Sequence, residues 1–402
     1  MFDINYAEWA NMLVRWLHIT AGIAWIGSSF YFVFTDNSLG PNEDIPKKAH
    51  GETWQVHGGG FYHIVKYLVA PDKMPKILHW FKYEAYFTWI SGFALLAVIY
   101  YWGAEAFLID KEVMDLTVTQ AIFLSVAGLG AGWVFYDMLC RSPLGERLGL
   151  LLFLVFGFAV FAAWAFGELF SGRAAFLHAG VLIGSIMVGN VFFVIIPNQK
   201  KVVKMLVAGE TPDAKYGKIA KQRSMHNSYL TMPVLLTMIS NHYAALYGGE
   251  YAWVVFACIL AIGALIRHYY ITGHAGIKAW WRTWLYPLAG GITVVMILWL
   301  SYTPAPSADM AEVEVDAKAA FQVVKTHCST CHSSLPIHEA WDEAPNGVLL
   351  DTLDQMRALG DKIYAQSVAG KNMPLGNETN MTQEERDLLG QWIKAGLPGL
   401  DG

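Results

Sequence analysis

The sequence Cys328-Ser329-Thr330-Cys331-His332 places two thiols and an imidazole one helical turn apart, and Met373 follows downstream in Asn372-Met373-Pro374-Leu375-Gly376-Asn377. C-x-x-C-H is the attachment sequence of a c-type haem. The thiols of Cys328 and Cys331 add to the two vinyl groups, and His332 binds the iron from one face. An electron carrier needs a second axial ligand, and a Pro/Gly-flanked loop carrying Met373 suits that role; a Met/His pair raises the potential. Met356 and Met381 are rival sixth ligands. The alternatives for C-x-x-C are a disulfide or half of a zinc site. Zinc needs a second Cys/His pair, for which His338 alone is a poor source. Covalent haem c is the better reading, and this part of the chain is expected to carry electrons.

A second set of chemically active side chains lies in apolar sequence, where ionisable groups are costly and point to function. His18, His178 and His242 all fall towards one end of predicted spans, at comparable depth. His18 shares a helical stripe with Gly22, Trp25 and Ser29. Two of the three histidines would hold a haem b, with Arg15 and Arg173 as partners for its propionates. The bland alternative is that each histidine hydrogen-bonds between helices. At the opposite end are His57, His63, His226, His268 and His274. A helix with His226 near one face and His242 near the other would accommodate a second haem b.

The elements that must position these groups are helices. The 402 residues are 55% hydrophobic and 15% charged, with a mean hydropathy of +0.35. Those figures describe a polytopic membrane protein, not a soluble one. A net charge of −5 gives no sign of a nucleic-acid partner. Eight apolar segments are long enough to span a bilayer: 11–34, 83–102, 117–138, 149–169, 175–196, 227–247, 251–270 and 284–302. The connections 35–82, 139–148, 197–226 and 271–283 hold 17 Lys and Arg, against 2 in the alternate set. The positive-inside rule puts the first set in the cytoplasm and both termini outside. The first apolar stretch lacks a basic n-region and a small-residue cleavage site, so it is expected to remain as an anchor. Haem c is attached on the outer face in bacteria, which agrees with that topology.

The expected fold is therefore all-α. A transmembrane bundle of eight spans occupies 1–302, a Pro/Ala/Glu/Val linker 303–315, and a small cytochrome c domain 316–402. In the last, a helix over about 316–332 leads to Cys328. A terminal helix opens on the capping box Thr382-x-x-Glu385 with Leu388, Leu389 and Trp392 inward. Cys140 and Cys258 read as small buried side chains. The long first cytoplasmic connection holds Trp54-Gln55-Val56-His57-Gly58-Gly59-Gly60-Phe61-Tyr62-His63-Ile64-Val65-Lys66-Tyr67. Its rings, cations and free backbone amides suit a planar anion, with His57, His63 and Lys66 as candidate catalytic groups. An amphipathic segment at the membrane interface, with Lys66 snorkelling, suits the same residues. The chain has no G-x-S-x-G, so a hydrolase is rejected.

Three blocks resemble the bacterial membrane-bound urate oxidases, in which a multispan domain is fused to a C-terminal cytochrome c. They are Arg15 to Gly27 (RWLHITAGIAWIG), the His57–Lys66 loop, and His226 to Pro233 through Ser240-Asn241-His242. The resemblance covers essentially the whole chain in order. The first span also resembles the haem-binding first helix of membrane protoporphyrinogen oxidases, which implies His18 as an iron ligand. The resemblance implies oxidation of urate to 5-hydroxyisourate, with oxygen taken from water. Electrons pass to haem c and on to a periplasmic cytochrome c or terminal oxidase. It also implies the bacterial inner membrane, with the cytochrome domain in the periplasm. Two competing readings are a quinol-oxidising membrane cytochrome and a transporter with a sensing cytochrome.

Overall fold

The computed structural model describes residues 6–301 and 315–399 apart from positions 42, 68–70, 72, 275, 339–340 and 342; the predicted linker lies outside the described residues except for Val315. The chain is mostly helical. Helix α1 (Tyr6–Asn37) is followed by strands β1 (Ala49–His57) and β2 (Gly60–Tyr67), then α2 (Tyr83–Leu96), which runs on through a π turn at Ala97–Tyr101. The short α3 (Ala104–Phe107) precedes α4 (Val118–Arg141), which starts on a Thr117–Gln120 capping box. Next come α5 (Leu148–Gly167) and α6 (Gly172–Gly189). A π segment at Asn190–Ile195 carries α6 into α7 (Ile196–Val207). Helices α8 (Ala214–Ile239), α9 (Ala252–His274) and α10 (Leu285–Ser301) complete the bundle.

Among the described residues, seven helices are long and apolar enough to cross a membrane, not eight. Six of the predicted spans coincide with α1, α2, α4, α5, α9 and α10, and the fifth is the longer run Gly172–Val207. The predicted span 227–247 is the exception. Its helix, α8, starts earlier, at Ala214, and ends at Ile239. Its length is sufficient, but Lys, Arg, His, Asn and Ser side chains along it lower its hydropathy. Arg223, His226, Asn227, Ser228 and Thr231 are nevertheless buried. Arg223, His226, Asn227 and Ser228 bond to neighbouring helices, and Thr231 to the Asn227 carbonyl of its own helix, which lets these polar groups be buried.

The fold is not strictly all-α. Residues 49–67 form an antiparallel hairpin with Trp54 opposite His63 and His57 opposite Gly60. Gly58 and Gly59 form its two-residue turn with φ +58° and +79°. Positive φ at both positions matches the twist of the flanking strands and favours glycine.

The C-terminal unit has its own core, separate from that of the bundle. Helix α11 (Ala317–His327) crosses α14 (Gln383–Lys394), with Phe321 edge-on to Trp392 at 6.4 Å. The short α12 (Leu353–Ala358) and α13 (Gly360–Ile363) add Met356 and Ile363 to the same core. The predicted capping box is present: the Thr382 hydroxyl accepts from Glu385 N, and the Glu385 carboxylate accepts from Thr382 N. Val324, Met356, Met381, Leu389 and Trp392 are fully buried, each such side chain contributing about 1.5–3 kcal/mol on area grounds.

Candidate functional site

One cavity of about 1090 Å³ lies where the C-terminal unit meets the bundle. Its bundle wall comes from the connection after α3, the start of α6 and the turns around 241–250. The first of these, the residues leading into α6 and the end of the third lie in the connections poor in Lys and Arg. Its other wall carries Cys328, Cys331, His332 and Met373. Two thiols, an imidazole and a thioether thus border one volume.

Local backbone bonds set these groups. Cys328 ends α11, and its carbonyl accepts from His332 N at 2.8 Å, folding the motif into a tight turn. His332 Nδ1 donates to the Val348 carbonyl at 3.1 Å, which fixes the ring and leaves Nε2 as the ligating nitrogen. Burial lowers the His332 pKa below its ordinary value, so the ring is neutral and able to ligate. Burial also pushes the Cys328 thiol up to about 12. Both thiols are free. Among the described residues no group of three or more His, Cys, Asp or Glu side chains is gathered to hold a bare metal ion, so the zinc reading lacks its second ligand pair.

The three methionines differ in their packing. Met356 and Met381 are sealed in the C-terminal core, whereas Met373 lines the cavity. Its loop is organised by Arg386, a residue absent from the sequence reading. Arg386 is buried and donates to the carbonyls of Ser367 and Met373 and to Asn377 Oδ1. These residues fit a covalently held haem: two thiols, a neutral pinned imidazole and a thioether facing one volume.

The three histidines predicted to share a membrane haem occupy three different settings. His18 Nδ1 donates to the Thr88 carbonyl at 2.9 Å, and its ring lies against Gly92 of α2, where an added Cβ would meet Cε1 at 2.8 Å. His178 is fully buried. Its Nδ1 donates to Ala174 O and its Nε2 accepts from the Ser125 hydroxyl, both at 2.7 Å. Neither nitrogen is left for iron in this arrangement. His242 is exposed on a turn and lines the cavity already described. The residues present therefore do not fit a haem shared between His178 and either other histidine; only His18 keeps a ring nitrogen lone pair in a helix interface. Arg15 donates to Asn11 one turn back on its own helix. Arg173 donates to Asn241 and lines the cavity beside the C-x-x-C-H motif.

The hairpin residues are paired within the hairpin or with the end of α1. His63 binds Glu52 and stacks on Trp54 at 4.3 Å, while Lys66 pairs with Asp36 at 2.6 Å. His57 is exposed at the turn, and Trp54, Val56 and Phe61 stand exposed on the same hairpin. An aromatic hairpin face of this kind suits a membrane interface. The side chain of His274 lies outside the described residues, and His268 Nδ1 bonds to the Tyr229 hydroxyl at 2.6 Å.

A second polar centre, unforeseen apart from His226, joins α4, the π segment and α8. Arg223 pairs with Asp137 at 2.8 Å and donates to Asn190 Oδ1 at 3.2 Å. Asn190 Nδ2 donates to the Tyr136 oxygen at 3.0 Å and to Asn227 Oδ1 at 2.9 Å. Tyr136 in turn meets His226 Nδ1 at 2.7 Å. π segments inside α-helices are frequent at functional sites.

The fold is a helical bundle, with seven described helices long and apolar enough to cross a membrane, that carries a second, small helical unit. Residues 4–301 match the urate oxidase N-terminal family, and the chain belongs to that family. It is on that ground a urate-related oxidoreductase. No curated protein and no solved structure matches it.

Proposed function

We propose that the chain is a membrane-bound urate oxidase of the bacterial inner membrane that passes electrons to its own C-terminal haem c domain in the periplasm. The observation that carries the reading is the shared cavity. Cys328, Cys331, His332 and Met373 face the end of a bundle whose sequence belongs to the urate oxidase N-terminal family. The balanced conversion is urate plus water to 5-hydroxyisourate, two protons and two electrons. Bound at Cys328 and Cys331, a haem supplies a one-electron acceptor that turns over twice per urate.

The residues have separable parts in this. Cys328 and Cys331 hold, while His332 and Met373 ligate. Arg386 holds the Met373 loop in place through the Met373 carbonyl. Arg173 presents a cation at the cavity, where it suits a haem propionate. For a membrane haem b, His18 is the ligand that the geometry supports. Onward transfer goes to a periplasmic cytochrome c or terminal oxidase.

The test is anaerobic addition of urate to the purified, oxidised protein while the haem c spectrum is followed. Reduction in proportion to urate, at two haems per urate, supports the reading, and a spectrum that stays ferric overturns it. The quinol reading draws on a separate apolar groove of about 700 Å³ lined by Val254, Cys258, Trp284 and Trp299. It requires quinol-driven haem reduction without any urate dependence.

A further inference from the structure

Leu335 and Ile337 are 82% and 81% exposed, and among the described residues of the C-terminal unit no other large apolar side chain is exposed. Both sit on the loop that follows the C-x-x-C-H motif, three and five residues beyond His332, with Pro336 between them. Single exposed aliphatic groups are ordinary on a surface. A pair on a loop fastened at both ends is a formed feature. Ser334 N donates to Asp351 Oδ2 at 2.8 Å. Ile337 N and His338 N donate to the Thr330 carbonyl at 3.0 and 3.2 Å, and His338 pairs with Glu378 at 2.9 Å. Pro336 fixes one more backbone angle. The two side chains are thus held outward with little freedom left to lose on binding.

The same bonds tie the pair to the haem-attachment motif. Thr330 lies between the two thiols, so its carbonyl joins Cys331 to Ile337 N through one residue and one hydrogen bond. His338 lines the cavity, whereas Leu335 and Ile337 do not. The loop therefore has the cavity on one side and water on the other, and it offers a short route between them.

Charge decides what covers the pair. Over 316–402, Asp and Glu outnumber Lys and Arg by 12 to 7. Asp351 holds the loop itself, and the Asp354 side chain three residues on is 92% exposed. A second copy of this acidic unit and an anionic bilayer are both repelled by it. A cationic partner is attracted.

We propose that the Leu335–Ile337 loop is the surface through which electrons leave, and that its occupant is a soluble electron carrier with a lysine-rich rim around its cofactor edge. That step rests on the haem c reading above, to which it adds a place of exit. Each encounter moves one electron: the unit's iron is oxidised from ferrous to ferric and the carrier's metal is reduced by one, with no bond broken and no proton transferred.

Binding of lysine-rich mitochondrial cytochrome c to the full-length protein in detergent, followed by biolayer interferometry, tests it. Leu335→Ser/Ile337→Ser is expected to raise the Kd about tenfold or more, the loss of two central apolar contacts. Wild-type binding is expected to weaken at about 1 M salt, where the Debye length falls to about 3 Å. Stopped-flow oxidation of the dithionite-reduced protein by the same carrier should slow in the variant, while ferricyanide, which needs no docking surface, reacts at the wild-type rate. A Kd unchanged in the variant overturns the surface, and a pyridine haemochrome that still shows haem c leaves the haem reading standing. Wild-type binding that is absent, or equal at both salts, overturns the cationic carrier. A variant effect seen in anionic vesicles but not in detergent seats the pair on a bilayer and overturns the proposal. Carrier binding lost in the variant of a protein whose haem urate fails to reduce keeps the surface and removes the urate reading alone.

Discussion

The Asn377 side-chain amide donates to the Glu112 carboxylate at 2.6 Å, joining the far end of the Met373 loop to the connection that follows α3. The neighbouring Gly376 has φ +56°, and a Cβ there would lie 2.5 Å from the Glu105 carbonyl. The loop that carries Met373, the sixth ligand proposed above, is thus also the loop that docks the small unit onto the bundle. The proposed ligation and the docking share one segment.

Gly376→Val separates the two roles. The substitution forces a β-branched residue into left-handed backbone and against Glu105, at about 1–3 kcal/mol for the backbone alone. That cost shifts the docking equilibrium by about 5- to 150-fold. Urate-driven reduction of haem c is expected to slow by at least fivefold, while total haem and dithionite reduction stay at wild-type levels. Stopped-flow absorbance checks this; an unchanged urate-driven rate would show that docking does not limit transfer.

The three methionines are expected to respond differently. Met373→Ala removes the proposed ligand from the cavity wall, so the potential is expected to fall with little loss of stability. Met356→Ala and Met381→Ala empty a packed core, costing about 2–5 kcal/mol with the potential nearly unchanged. Redox titration and urea unfolding of all three variants separate these outcomes. A potential drop in Met381→Ala alone would transfer the ligand role. Cys328→Ala is expected to reduce covalent haem to background in a pyridine haemochrome assay.

Histidine variants divide in the same way. Non-covalent haem in acid–acetone extracts is expected to disappear in His18→Ala and to persist in His178→Ala. Ser125→Ala leaves the buried His178 Nε2 without its donor and is expected to destabilise by about 1–3 kcal/mol without loss of haem. Loss of extractable haem in His178→Ala but not His18→Ala would reverse the assignment.

What was legible in the sequence is what short-range chemistry fixes. Cys328 to His332 carries its own geometry, and Thr382 with Glu385 is a cap wherever it occurs. The hairpin was also signalled, since Gly58-Gly59 between alternating aromatics is a turn pattern; its rings, histidines and lysine suit a planar-anion loop or an interfacial segment equally well, and neither of those specifies strands. The Tyr136–Asn190–Arg223–His226 centre was not legible, because its members come from three helices and meet only on packing. Asp137 at the end of a predicted span was the available signal. Arg223 counted as a cytoplasmic charge, and its burial depends on that same Asp137. Neither could be paired before the helices were placed.

The His332 ring sets a pH dependence whose sign follows from its burial. In the folded chain its pKa lies below the ordinary value of 6.5, with desolvation as the main cause and the Val348 bond opposing it. The unfolded chain therefore takes up a proton near pH 6.5 that the folded chain resists. Stability from this group is full above that pH and is lost as pH falls towards the folded pKa. The effect is clearest without haem, where iron does not hold the imidazole neutral. In a Cys328→Ala/Cys331→Ala variant, the urea midpoint of the C-terminal unit is expected to drop between pH 7.5 and 5.5. Adding His332→Phe to that variant should flatten the drop, and covalent haem in the wild type should suppress it. Equal slopes with and without the His332 substitution would mean that another group titrates there.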